Sequence, residues 1–408
     1  MRDVNYLIIG GGLASIRAAR QIRKGDPDGS ILVAGEEPDL PYDRPPLSKE
    51  FLAGDKTSEE ILLEPHGALS DMRIEMALGQ PAVRLDAAGM LALLSNGEQI
   101  HFERALIATG GRPIRLAVPG ADLAGVHYLR TIADARAIAA DATPGRKAVV
   151  VGGGFIGIEV AATLRKRGLD VTVLEALPRI WARFGNEDLS NFVQGYCQER
   201  GVQFLTGSAI SELRGRDRVE SVVTAAGKEL PCDLVCIGVG IRPNVELATD
   251  AGLDVENGIV VDQGMRTSHP DIYAAGDVIN YYDPISGRRR RVEHWGHAEY
   301  SGQIAGANMA GGAEVYNLLS YVWSDIFDLH LEFAGDEDQH DAALLRGDPK
   351  DGSFMILYVK DGKLTAFFAI NAPPREFAGL RRLIQTHKDI SGEEETLRNP
   401  QSNLRSLL

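Results

Sequence analysis

The chain is short of cysteine, of basic charge and of long apolar runs, and each shortage removes a class of function. Three cysteines, Cys197, Cys232 and Cys236, stand in 408 residues. That is too few for a disulfide framework, so a reducing compartment, the cytoplasm, is expected. No cysteine cluster is present to ligate an iron–sulfur centre. Cys232 and Cys236 fall in an expected strand whose alternation puts both on one apolar face; core packing is expected, because a reactive thiolate needs exposure and a basic neighbour. Acidic residues outnumber basic ones, 57 to 43, for a net charge of −14, which argues against general nucleic-acid affinity. No apolar run approaches the ~20 residues that span a bilayer, and the chain enters an expected strand by residue 6 with no signal-peptide core ahead of it. No membrane partner is therefore expected. His294 and His297 are close in sequence, but no cysteine completes a site, so no metal is expected.

What is present is an ordinary globular composition, 44% apolar and 25% charged, in a chain long enough for two or three domains. Its strongest signal is a glycine fingerprint that occurs twice. The first copy reads Leu7-Ile8-Ile9-Gly10-Gly11-Gly12-Leu13-Ala14-Ser15, with Glu36 after the next apolar run. The second reads Val149-Val150-Val151-Gly152-Gly153-Gly154-Phe155-Ile156-Gly157, with Glu175 after Val171–Leu174. Each is an apolar strand, a glycine turn, a helix and a second strand ending in a carboxylate. That arrangement rests a pyrophosphate on a helix N-terminus and holds a ribose hydroxyl with the acid. Two copies imply two dinucleotides, and the simplest use for two is electron transfer between them. In the first copy the third glycine is replaced by Ser15, still small enough for helix–strand packing.

The periodicity places strands at Val4–Ile9 and Ile31–Val33 around a helix at about Ala14–Lys24. Pro38, Pro41, Pro45 and Pro46 then predict an extended loop, and Asn96-Gly97 predicts a hairpin turn between Met90–Leu94 and His101–Leu106. Ala105–Pro113 reads as a buried strand entering a tight turn at Ala108-Thr109-Gly110. A third motif, Ala274-Ala275-Gly276-Asp277, precedes a small-residue helix from about Ala298 to Ala310. Strands at Phe354–Val359 and Leu364–Ile370, parted by Asp361-Gly362, mark the last region. The expected fold is α/β: two Rossmann-like dinucleotide-binding domains, which the resemblance described next assigns to FAD and NAD, and an α+β C-terminal domain. The second is inserted into the first, giving 1–113 with 241–316, then 114–240, then 317–408.

The order of fingerprint, ATG turn and AAGD segment resembles the two-dinucleotide-binding flavoprotein superfamily. Within it, Pro45-Pro46-Leu47-Ser48-Lys49 is similar to the FAD-dependent NADH:ferredoxin reductases of bacterial oxygenase systems, the putidaredoxin reductase-like family. Tyr128-Leu129-Arg130-Thr131, Gly152–Glu159, Arg242-Pro243-Asn244 and Val292-Glu293-His294-Trp295 agree with it. Disulfide reductases of this fold carry cysteine near the position of Pro45–Lys49, and none lies here. Near the start of the last domain the family's usual Trp-Ser-Asp-Gln appears as Trp323-Ser324-Asp325-Ile326.

The resemblance implies cofactor contacts along these motifs. In the first half they fall at Gly10, Gly12, Leu13, Ala14, Glu36, Arg44, Lys49, Ala82, Ala108, Thr109, Gly110 and Arg130. In the second fingerprint they fall at Gly152, Gly154, Phe155, Ile156, Gly157, Glu159, Glu175, Arg183 and Gly240. The remainder are Gly276, Asp277 on the ribityl chain, Glu293, His294, Trp295, Ala298 and Trp323. Trp295 to Ala298, at a helix N-terminus, suits negative charge on a reduced flavin. Lys49 offers an ammonium beside the flavin and is expected to pair with Glu159; these two are the catalytic candidates. Glu159, two residues past Gly157, also reads as a first-turn carboxylate favoured by the helix dipole. Glu175 repels a 2′-phosphate, so NADH is expected over NADPH.

The partner implied is a small iron–sulfur ferredoxin, with a rubredoxin, a quinone or a small radical acceptor as rivals allowed by the altered Trp323–Ile326 segment. An NADH-sensing protein like apoptosis-inducing factor is the rival of a different class. Arg288–Arg291, the one basic run, reads as a solvated loop or as a docking patch for an acidic ferredoxin. Monomer or weak homodimer is expected.

Overall fold

A computed structural model describes residues 1–338 and 340–408, and these group into two compact units. The first comprises residues 1–43, 58–112 and 242–320; the second comprises 44–57, 113–241 and 321–408. The segment that carries Lys49 thus clusters with the second unit.

In the first unit the strand Arg2–Ile9 runs parallel between Ile31–Ala34 and Gln99–Ile107. Ile74–Ala77 extends the sheet on one side, and the hairpin of Leu91–Leu94 with Gln99–Ile107 extends it on the other. Strand Ile272–Ala274 pairs with Gln99–Ile107 and delivers the chain to Gly276. Helix Leu13–Gly25 packs against helix Trp295–Met309. The contact is close because it is made by small residues: a Cβ at Gly302 would lie 2.3 Å from the Ala14 carbonyl oxygen, and one at Gly306 would lie 2.3 Å from that of Ala18. The second helix begins at Trp295, three residues before the start expected from its small-residue run. Tyr281, His297 and Tyr316 are buried together behind its first turn.

In the second unit a parallel sheet takes the order Val202–Leu205, Asp170–Leu174, Lys147–Val151, Leu234–Ile237, Val126–Tyr128. This is again a Rossmann-like sheet, with helix Phe155–Lys166 crossing from its central strand. The last region is an antiparallel five-stranded sheet ordered Tyr321–Ile326, Leu329–Gly335, Lys363–Ile370, Ser353–Lys360, Ala342–Asp348. Helix Pro374–Thr386 covers it, making the C-terminal region α+β. Arg346, 2% exposed, donates to Glu376 and to the Leu397 and Ser402 carbonyls, tying the chain's end to this sheet. No helix among the described residues is long and apolar enough to cross a membrane.

Three local expectations are corrected. Pro45 and Pro46 open a 3₁₀ helix, Pro45–Ser48, rather than an extended loop. Proline's fixed φ and missing N–H suit the first helical positions, where no intrahelical partner exists anyway. Arg288–Arg290 is a strand paired with Ile279–Asp283, not a solvated loop. Arg290 meets buried Asp283 at 3.4 Å, Arg289 donates to the Val261 and Asn280 carbonyls, and Arg291 donates to Glu293 at 2.6 Å. Cys232 and Cys236 are both buried but belong to opposite sides of the sheet, Cys236 with Leu234 and Val150, Cys232 with Val235 and Ile237. The strand starts only at Leu234, so Cys232 escapes its alternation.

Candidate active site

Each fingerprint is a turn that excludes a side chain on one side and opens on the other. Gly10 has φ +122°, and a Cβ there would lie 2.2 Å from the Ala108 carbonyl oxygen. Gly152 has φ +108°, and its Cβ would lie 2.3 Å from the Gly238 carbonyl oxygen. Both positions demand glycine. At Gly12 and Gly154, which precede the two helices, a Cβ would meet no protein atom within 4 Å. Open space therefore faces first-turn N–H groups that have no intrahelical partner, as a phosphate requires. The donor set fits two dinucleotides.

Among the remaining first-unit candidates, Gly276 and Ala298 come to the start of the first helix. Gly276, at φ +81°, packs against Ala14, to which an added Cβ would come within 3.2 Å. Its N–H donates to Ser301 Oγ at 3.0 Å. Asp277 follows, half-buried, in the 3₁₀ turn Gly276–Val278, and Leu13 and Ala298 flank the same corner on their helices. Thr109 Oγ1 donates to the Asn244 carbonyl at 2.8 Å, while Asn244 Nδ2 donates to the Thr109 carbonyl at 2.9 Å, and Gly110 accepts the Asn244 N–H. His294 precedes the helix, 2.7 Å from Ser320 Oγ, and Trp295 Nε1 donates to Asp43 at 2.6 Å. Glu293 is exposed and held by Arg291. Ala82 lies at an irregularity in its strand. Glu36 is exposed at the end of strand Ile31–Ala34. Asp43, Asn244, Ser301 and Ser320 were not singled out from sequence; Asn244 alone had a signal, inside Arg242-Pro243-Asn244.

In the second unit Arg44 donates to the Arg130 carbonyl, fixing the chain just before Pro45–Ser48. Lys49 Nζ lies 3.5 Å from Glu159 Oε1, with side chains 14% and 5% exposed. Ser48 Oγ donates to Glu159 Oε2 at 2.5 Å, and Ser324 Oγ donates to Oε1 at 2.5 Å. The helix starts at Phe155, so Glu159 stands a turn deeper than the first-turn position read from sequence. The dipole reading gives way to hydroxyl bonding inside the protein. Neither serine was picked out, although both sit inside motifs, Pro45–Lys49 and Trp323–Asp325.

Glu175 Oε2 accepts the Gly153 N–H at 2.6 Å and Oε1 accepts the Leu177 N–H at 2.8 Å, so this carboxylate closes on its own glycine turn. Phe155 lies in an aromatic cluster, 4.9 Å from Trp181 and 6.2 Å from Phe368. Ile156 is exposed. Arg183 donates to the buried Glu337 at 2.7 Å, and Gly240 has φ +107° beside Ile114. The Trp323 ring stacks on Tyr321, 6.0 Å away. Burial pushes the thiols of Cys197, Cys232 and Cys236 each up to about 12, so none is a thiolate at neutral pH.

Residues 4–302 match the pyridine nucleotide-disulphide oxidoreductase family and residues 321–408 match the reductase C-terminal family. The chain belongs to the pyridine nucleotide-disulphide oxidoreductase family. It is 36% identical to a ferredoxin–NAD(P)(+) reductase of Sphingomonas sp over 414 aligned residues, covering all of this chain and 99% of the relative. The ferredoxin reductase for the CYP199A2 system from Rhodopseudomonas palustris superposes with a TM-score of 0.93 at 33% identity, covering 98% of this chain and 99% of that one. The reductase of the covalent putidaredoxin reductase–putidaredoxin complex superposes at 0.95 with 31% identity, covering 100% and 98%.

Proposed function

We propose that this chain is a cytoplasmic, FAD-dependent NADH:ferredoxin reductase, passing electrons from NADH to a small iron–sulfur ferredoxin that feeds an oxygenase. The observation that carries the reading is the pair of half-buried Lys49 with buried Glu159 in the unit of the second fingerprint, where a thiol enzyme would need a reactive cysteine. FAD, when bound, supplies the interconversion of a two-electron hydride and single electrons.

The chain's own residues bind, orient and shield. Gly10 to Ala14, Ala108 to Gly110 and Gly276-Asp277 would hold FAD in the domain formed by 1–113 and 241–316. Gly152 to Gly157 and Glu175 would hold NADH in 114–240, with 317–408 as the C-terminal domain. Glu175 would accept ribose hydroxyls through its remaining lone pairs and repel a 2′-phosphate, giving preference for NADH. The N-terminus of helix Trp295–Met309 would offer a partial positive charge to a reduced flavin. Within the second unit Lys49 offers a cation held by Glu159.

The purified protein should be yellow, be bleached rapidly by NADH without oxygen, and turn over on a [2Fe–2S] ferredoxin. Lys49→Met should keep its flavin and slow single-turnover reduction by about 100-fold. Unchanged kinetics in that variant refute the assigned role, and a long-lived bleached state that no ferredoxin discharges refutes the reductase reading.

A further inference from the structure

We infer that Ser48 and Ser324 are positioning residues that clamp Glu159 and hold Lys49 off it, an inference that rests on the reductase reading above. Glu159, Ser48 and Ser324 are 5%, 2% and 1% exposed, so the carboxylate sees almost no water. Its strongest partners are neutral: one serine hydroxyl on each oxygen at 2.5 Å, against an ammonium at 3.5 Å. A buried carboxylate must be hydrogen-bonded to stay buried. Here two hydroxyls meet that need without cancelling its charge. The ion pair is therefore not drawn to full contact, and the ammonium keeps hydrogens for what binds beside it.

The two serines come from separate segments. Ser48 ends the 3₁₀ helix Pro45–Ser48, and its carbonyl accepts from Thr163 Oγ1 at 2.8 Å, one turn beyond Glu159 on the same helix. Ser324 lies on strand Tyr321–Ile326, in the region of the reductase C-terminal match. Alternation on that strand buries Ser324 while its neighbours Trp323 and Asp325 stay accessible. The C-terminal region thus contributes directly to the carboxylate that orients the candidate catalytic lysine.

Removing one hydroxyl should let Lys49 close on the vacated oxygen and turn from its working direction. Ser324→Ala and Ser48→Ala should each lower the limiting rate of flavin reduction by about tenfold, with half-saturating NADH unchanged. Ser324→Thr, which keeps the hydroxyl, should restore the rate. A double-mutant cycle of Ser324→Ala with Glu159→Gln, read by thermal unfolding of the flavin-loaded chain, should be non-additive. Wild-type reduction rates in both alanine variants together with an additive cycle overturn the clamp. If NADH fails to reduce the parent protein, the reductase reading falls, whereas the unfolding cycle still reports on the clamp.

Discussion

The two glycine fingerprints are close copies in sequence, and the differences between them are the instructive part. In the second, Gly157 backs onto its own turn: a Cβ there would lie 2.0 Å from the Gly152 carbonyl oxygen. In the first, Ser15 occupies the equivalent position, fully buried, its hydroxyl without a hydrogen-bond partner among the described residues. The carboxylates differ as well. Glu175 is bonded to the backbone of Gly153 and Leu177, while Glu36 projects from its strand, exposed. One motif thus supports a tight, self-braced turn and a looser one. The brace in the first unit comes from elsewhere, through Asn244 on the ATG turn and Ser301 on Gly276.

The two turns differ most at the third position of the fingerprint. Gly157→Ala forces a methyl into a backbone oxygen that no side-chain movement relieves, at a cost of about 3 kcal/mol. Loss of NADH binding by titration and a lowered unfolding midpoint are the expected results; an unperturbed variant would show that the second turn is as loose as the first.

The two units also differ in their buried titratable groups. The first unit buries His297, its Nδ1 2.8 Å from the Tyr316 hydroxyl, and desolvation pulls its pKa down to about 4 despite Asp277. The unfolded chain binds this proton near 6.5 and the folded chain only near 4. Between those values the unfolded state holds more protons, so stability is complete above 6.5 and is lost as pH falls toward 4, by up to ~3 kcal/mol. The second unit's three cysteines, raised to about 12, are silent there. Acid should therefore weaken the first unit, and His297→Phe should flatten the unfolding midpoint between pH 4.5 and 6.5, a window on the order of two units. Equal acid sensitivity in the variant removes the histidine from the account.

What could be read in advance divides along physical lines. The glycine turns were legible because a close backbone approach tolerates only glycine, and that need is written locally. The hairpin at Asn96-Gly97 was legible through a different local need, the left-handed backbone that Gly97 adopts at φ +87°. Ser48 and Ser324 were not, since a hydroxyl carries no mark of an acceptor more than a hundred residues away. Arg288–Arg291 misled because a run of one charge resembles a solvated loop, whereas Asp283, Glu293 and backbone carbonyls absorb it. Pro45 and Pro46 misled because proline both ends extended segments and opens helices, and only the following chain decides which.

The carboxylates give a smaller test. Glu175→Ser removes the acceptor from two backbone N–H groups and should cost about 1–2 kcal/mol, while narrowing the preference for NADH over NADPH in kcat/KM. Glu36→Ser removes no hydrogen bond or ion pair among the described residues and should leave the unfolding midpoint in place. A midpoint that moves equally in both variants would mean that Glu36 braces its turn too.

The smallest effect is also the cleanest. Ser15 carries a buried hydroxyl with no partner among the described residues, on the buried face of helix Leu13–Gly25. Burying such a group costs on the order of 1 kcal/mol that alanine, with the same Cβ, does not incur. Ser15→Ala should therefore be neutral or raise the unfolding midpoint slightly, with flavin retained. Destabilisation would show that the hydroxyl has work in the loaded protein, and that the departure from glycine in the first fingerprint is functional rather than tolerated.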